Sequence, residues 1–240
     1  MENLRIAVCE DCADDQKKLG EILRELQREN LALSFFSRGE DLLRSFTPRG
    51  YDLIFLDIYM AGMTGVATCE KIRERDPDVP VAFITTSRDH ALDGYRLSAI
   101  GYIEKPCKPD DIAKILKIVE KIRANRPALV IQKRNEILRI PIDDIEYLEQ
   151  KLHQVMIVCR DGRTVILYGK IADLLPKLDA RMFCQPLKSF CVNLEYVCSI
   201  NRDLRSFIMQ NGTAIPIRRE DFARIKRTYE QYIFRKVREL

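Results

Sequence analysis

The chain has 240 residues, 46% of them apolar, and a formal net charge of +4. That length suits one large domain or two of ordinary size. Its apolar runs, such as residues 79–84, fall far short of the ~18 needed to span a bilayer, and the opening MENLRIAVCE lacks the pattern of a secretory leader, so a cytoplasmic protein without a membrane partner is expected.

Residues 4–8 are a short apolar run that predicts a strand. The spacing of Leu19, Ile22, Leu23 and Leu26 predicts a helix over 14–30. Within the turn between them, Cys9-Glu10-Asp11-Cys12 is a CxxC with no second pair, and the chain has two histidines, His90 and His153. A zinc site is therefore not expected, and the eight cysteines read as reduced, mostly buried thiols. Strands are predicted at 31–36, 53–56, 81–85 and 102–104, alternating with helices at 40–46, 64–75, 89–97 and 109–124. Wholly apolar runs such as 53–56 imply burial on both faces of a sheet. Five strand–helix units predict an α/β fold for residues 1–124, a doubly wound, five-stranded parallel sheet covered by helices.

Asn125-Arg126-Pro127 reads as a linker, and beyond it the rhythm changes. Short strands are predicted at 128–132, 137–140, 145–148 and 154–159. Asp161-Gly162 stands between strands 155–160 and 164–168, and Asn211-Gly212 between strands 207–210 and 213–217. Such pairs suit the type I′ turns of hairpins. A short helix is predicted over 171–178. A terminal helix is predicted from about Arg219, with Phe222, Ile225, Tyr229, Tyr232 and Ile233 on its apolar face. Residues 128–240 thus read as a mainly antiparallel β domain with a terminal helix. Charge divides at the same place. Residues 1–125 hold 19 basic and 22 acidic side chains, a net −3, and the remainder hold 21 and 14, a net +7. The second half therefore suits an anionic partner, with nucleic acid the leading class, the alternative being a solvated basic surface.

In a parallel sheet, sites form at the carboxyl ends of the strands. Here those ends carry Glu10-Asp11, Asp57, Thr85-Thr86 and Lys105-Pro106. A lone aspartate after a strand is usually a helix cap, and a lone Glu-Asp pair a turn. The four features in order on predicted strand ends point instead to one pocket. Three carboxylates there repel one another unless a cation intervenes, and Mg²⁺ suits oxygen ligands with several waters retained. A phosphoryl group delivered to Asp57 would meet the metal, Lys105 and the Thr85 hydroxyl, the neutralising parts that phosphoryl transfer needs. Asp57 is read as the nucleophile that becomes an aspartyl phosphate.

These residues resemble the receiver domain of bacterial two-component response regulators, a flavodoxin-like fold, over about residues 4–124. The resemblance rests on Glu10-Asp11, LDIYMAGMTG around Asp57, Thr85, and Gly101-Tyr102 followed by Lys105-Pro106. It implies that Asp11, Asp57 and the Tyr59 carbonyl bind Mg²⁺ and that Glu10 acts through water. It also implies that Thr85 and Tyr102 form a switch pair. Ala61 stands where the family usually has proline, a change expected to affect only loop rigidity. Thr86 replaces a small apolar residue, a change expected to bear on how fast phosphate is lost.

The second half resembles the LytTR DNA-binding domain over about residues 128–235. The carrying residues are Ile145-Glu146-Tyr147-Leu148-Glu149, Phe183, KSFCVN at 188–193 and NGTAIPIRR at 211–219. The resemblance implies that loop residues enter successive major grooves of double-stranded DNA. The matching candidates are His153, Lys188 and Arg219, with Arg219 suited to bidentate reading of guanine. Lys188, Ser189 and Arg218 are alternative phosphate holders. Gln185 and Leu187 depart from the family's usual arginine and histidine, and Arg218 from its serine, which bears on base contacts and target sequence.

The leading expectation is a transcription regulator, not an enzyme. A sensor histidine kinase would phosphorylate it on Asp57, and phosphorylation would drive homodimerisation and DNA binding. The alternative is a phosphorylation-dependent regulator of a protein or RNA partner. A metal-dependent phosphohydrolase is disfavoured, because Tyr59 stands where a second aspartate would serve as acid.

Overall fold

The computed structural model describes residues 4–26, 31–86, 96–133 and 136–238. The chain divides into two compact units, Met1–Asn125 and Arg126–Leu240. No described helix is long and apolar enough to cross a membrane.

In the first unit, strands β1 (Leu4–Cys9), β2 (Leu31–Phe36), β3 (Leu53–Asp57), β4 (Val81–Thr85) and β5 (Gly101–Glu104) form a parallel sheet in the order β2-β1-β3-β4-β5. The period-2 alternation of side chains sends Leu53 and Phe55 into one core and Ile54 and Leu56 into the other. The first core includes Leu19 and Leu23 of α1 (Ala13–Leu26) and Ile112, Ile115 and Val119 of α4 (Pro109–Asn125). The second includes Leu42 of α2 (Gly39–Ser45) and Cys69 and Ile72 of α3 (Gly65–Arg73). The central strands β3 and β4 are buried at every position and have no wet face, so their sequences need not alternate.

The helix ends are written locally. Asp14 and Asp15 occupy the first turn of α1 and Arg24 its last, each sign complementing the helix dipole. Thr64 caps α3, its Oγ1 accepting from the Ala67 N–H at 3.2 Å. The predicted helix at 89–97 lies almost wholly outside the described residues, as do positions 27–30 of the first.

Among its described residues the second unit holds three sheets. Strands β6 (Ala128–Lys133) and β7 (Glu136–Pro141) pair as a ribbon. Strands β8 (Ile145–Lys151), β9 (Gln154–Cys159), β10 (Thr164–Tyr168), β11 (Phe183–Leu187) and β12 (Phe190–Asn193) form an antiparallel sheet in the order β10-β9-β8-β12-β11. Strands β13 (Val197–Asn201), β14 (Ser206–Met209) and β15 (Ala214–Pro216) form the third. Leu148, Ile157 and Leu167 share one core with Leu129 and Ile140 of the ribbon. Tyr147 and Val192 share another with Phe207, Ile215 and the terminal helix α6 (Phe222–Arg238).

Four sequence expectations are corrected. In both Gly-containing hairpins only the glycine is left-handed, Gly162 and Gly212 each at φ 82°. Cys159 bonds to Gly162 and Arg163, and Met209 to Gly212 and Thr213. These are three-residue loops closed by a left-handed glycine, not type I′ turns. The helix at 171–178 is α-helical only at α5 (Ile171–Leu174) and continues as a 3₁₀ turn, Leu175–Lys177, where Pro176 has no N–H to extend the α ladder. Ile233 is 40% exposed, because Ile225, Tyr229 and Tyr232 already span the inner face and Ile233 lies past its edge. Strands β11, β12 and β13 were absent from the predicted set.

Candidate functional site

The parallel sheet brings the ends of β1, β3, β4 and β5 together. Asp57 is the last residue of β3, paired in register with Ile84, and is 4% exposed, like Glu10. The Glu10 N–H donates to the Phe36 carbonyl at 2.9 Å, which fixes the turn after β1. The Lys105 Nζ lies 2.7 Å from Asp57 Oδ2, 2.8 Å from Glu10 Oε2 and 3.1 Å from Asp15 Oδ2. The lysine is aimed by its backbone, since its N–H donates to the Thr85 carbonyl at 2.8 Å. Glu10, Asp11 and Asp57 also accept from backbone N–H groups. Tyr59 donates to Asp57 Oδ1 at 3.1 Å, Cys12 to Glu10 Oε1 at 3.1 Å and Ala61 to Asp11 Oδ2 at 2.8 Å. Gly65 follows tightly behind, its N–H donating to the Ile58 carbonyl at 3.1 Å. A side chain there would place Cβ 2.1 Å from the Asp57 carbonyl oxygen.

Carboxylate oxygens of Glu10, Asp11 and Asp57 lie within 4.8 Å of one another. Asp11 is exposed, so the cluster opens to solvent on that side. An all-oxygen, acidic donor set fits a hard divalent cation such as Mg²⁺. Burial pushes the Glu10 carboxyl above its ordinary value. The Lys105 hydrogen bond opposes that shift and the Asp57 charge adds to it. For Lys105, burial disfavours the ammonium, but the hydrogen bonds and charges of Asp57 and Glu10 outweigh it and push the pKa up. The lysine is therefore a fixed cation at any physiological pH.

Thr85 is fully buried at the end of β4. Tyr102 pairs in register with Phe83, is half-buried, and packs on the core that contains Phe83. Thr86 is exposed beside them. Tyr59 is 46% exposed. The replacement at Ala61 does more than loosen a loop, because the N–H that holds Asp11 is the one a proline lacks. Asp15 was not among the sequence candidates. Its one signal was its place in the acidic first turn of α1.

In the second unit, the remaining candidates gather at one end of the five-stranded sheet. His153 is exposed in the β8–β9 turn, and its carbonyl accepts from Gly169 at 2.9 Å. Lys188 is exposed and Ser189 half-buried in the β11–β12 turn, where the Ser189 carbonyl accepts from the Gln150 N–H of β8 at 2.8 Å. Arg218 donates its N–H to the Pro186 carbonyl of β11 at 3.1 Å and pairs with Glu220 at 3.4 Å. Arg219 follows, exposed. Gln185 Nε2 braces the Lys188 carbonyl at 3.2 Å, and Leu187 is half-buried opposite Phe190.

A parallel sheet with acids and a lysine at its carboxyl edge, followed along the chain by a basic β unit, defines a signal-receiving domain joined to an effector. The response regulator receiver domain model matches residues 6–117, and the LytTr DNA-binding domain model matches residues 135–230. The chain is 25% identical to the transcriptional regulatory protein YpdB of Escherichia coli (strain K12) over 211 residues, 82% of this chain and 86% of that protein. It is 23% identical to the sensory transduction protein LytT of Oceanobacillus iheyensis over 201 residues, 78% of this chain and 80% of that one. Among solved structures, the response regulator TrrA from Thermotoga maritima, in complex with Mg(2+)-BeF, is 28% identical. It covers 50% of this chain and 99% of its own, with a TM-score of 0.43. This chain belongs to the two-component response regulators that join a receiver to a LytTR DNA-binding domain, and it acts on DNA.

Proposed function

We propose that Asp57 is the phosphoacceptor of this regulator and that its phosphorylation by a sensor histidine kinase controls DNA binding. The observation that carries the reading is the buried Asp57 carboxylate, held by the Lys105 ammonium at 2.7 Å, beside Glu10 and Asp11 at the sheet's carboxyl edge. Asp57 attacks the donor's phosphorus. The donor's bond to phosphorus breaks, and an acyl phosphate forms on the carboxylate. Lys105 is already placed to balance the added negative charge, and the Thr85 hydroxyl is the donor that follows the phosphoryl oxygens. Asp11, Asp57 and the Tyr59 carbonyl would hold Mg²⁺, with Glu10 acting through water; when bound, the ion neutralises charge on the transferring group. Movement of Thr85 vacates space for Tyr102 to turn inward, favouring an active conformation that dimerises. Paired effector domains then bind adjacent sites with greater avidity.

On the DNA side, His153 and Arg219 are assigned to base reading, and Lys188, Ser189 and Arg218 to phosphates. Action in the cytoplasm is part of the same reading. The test is a gel shift on a selected operator with wild type and Asp57→Ala, with and without a small phosphodonor. The donor is expected to strengthen binding by wild type alone. Equal binding under all four conditions refutes control through Asp57.

A further inference from the structure

Leu152 has two costs without an evident structural return. It is 94% exposed, and its backbone is left-handed, at φ 53°. Asparagine or glycine would meet the turn's geometry without either cost. The turn is nevertheless rigidly made. Gln150 Nε2 lies 3.0 Å from the Leu152 carbonyl, 3.1 Å from that of Gln154 and 3.0 Å from that of Gly169. Its Oε1 accepts from the Ile171 N–H at 2.8 Å. One side chain thus clamps the β8–β9 turn to the segment after β10, while its backbone holds the Ser189 turn. Such clamping fixes Leu152 outward beside His153, at the end of the sheet where Lys151, Lys170 and Lys188 are exposed. Lys151 pairs with Glu149 at 3.2 Å and Asp173 accepts from the Lys170 N–H at 3.2 Å, so the three lysines outnumber the carboxylates beside them, which favours an anionic partner over an apolar protein surface. Within a major groove, the group that rewards an exposed branched aliphatic side chain is the 5-methyl of thymine.

We propose that Leu152 is a specificity-determining residue whose side chain packs against a thymine methyl group in the major groove, with Gln150 as its positioning residue. The inference rests on the assignment of His153 and its neighbours to the DNA face. Operator duplexes selected by the full chain from a random library, with a phosphodonor present, are resynthesised with each thymine singly replaced by deoxyuridine. That change removes only the methyl group. Wild type is expected to lose affinity about fourfold at one position of each half-site, the value of one buried methyl. Leu152→Ala is expected to bind the thymine and deoxyuridine duplexes equally at that position. The same penalty in Leu152→Ala, or no penalised position in wild type, overturns the proposal and leaves selective DNA binding intact. A selection that yields no preferred sequence overturns the base-reading assignment and the proposal together.

Discussion

Lys105→Met keeps the side-chain stem and removes the ammonium, which leaves two buried carboxylates facing each other. Glu10 and Asp57 are each 4% exposed, and they lose a counter-charge at 2.8 and 2.7 Å. Their ligand oxygens lie within 4.8 Å, so at an effective dielectric of ~20 their repulsion is about 3.5 kcal/mol. Breaking a buried ion pair from one side costs ~3–5 kcal/mol by mutational experience, and the two figures describe overlapping effects. The expected loss in urea unfolding at neutral pH, without divalent ions, is therefore about 3 kcal/mol. The sign of its pH dependence follows from Glu10, whose pKa burial already raises and which the lysine's hydrogen bond now holds down. Without the lysine it rises further. An acid raised in the folded state contributes stability that is full below its unfolded value and is lost as pH rises through the folded one. The gap between variant and wild type should therefore narrow as pH falls from neutrality toward the ordinary glutamate value of 4.5. Added Mg²⁺ should narrow it at neutral pH, by replacing the missing positive charge. A gap below about 1 kcal/mol, or one that pH leaves unchanged, would show that the lysine does not hold these acids together.

Gly65→Ala would drive a Cβ to 2.1 Å from a backbone oxygen of Asp57. A loss of about 1–3 kcal/mol is expected, together with slower phosphoryl incorporation from a small donor, whereas wild-type values for both would contradict the close approach. Asp52→Asn tests a second buried acid. Burial alone would raise its pKa, but the side-chain hydrogen bonds, charge and backbone N–H of Arg5 lower it below 3.8. A depressed acid contributes stability present above its unfolded pKa and lost as pH falls through the folded one. Wild type should exceed the variant by about 3 kcal/mol at neutral pH, and the difference should shrink in acid titration below about pH 4. Arg219→Ala should weaken operator binding about tenfold while leaving non-specific binding largely in place, as measured by competition at fixed salt. A uniform loss on all sequences would move Arg219 to the phosphate contacts.

The local grammar of this chain carried a long way. Uninterrupted apolar runs at Leu53–Leu56 could be satisfied only by burial on both faces, and the parallel topology then forced the residues after each run to one edge. Glu10, Asp57, Thr85 and Lys105 were legible for that reason, since a site made of strand ends is specified by chain order. Asp15 was not, because its part depends on α1 lying where Lys105 reaches it at 3.1 Å, a distance set by packing. The β-rich unit was harder to read. Its hairpins were visible in Asp161-Gly162 and Asn211-Gly212, where the turn is a local event. Strands β11 to β13 were not, because Phe183–Leu187 includes Gln185 and Pro186 and gains strand character only by pairing with β12, itself beside β8 across some forty residues of chain. Gln150 is the extreme case. Its four side-chain contacts reach the β8–β9 turn, Gly169 and Ile171, and no periodicity could announce them. Residue pattern decided which faces are buried and which acids meet, because burial and chain order are local or sequential properties. Tertiary structure alone decided which loops are clamped together at one end of the sheet, because hydrogen bonds between distant segments exist only once the sheets have closed.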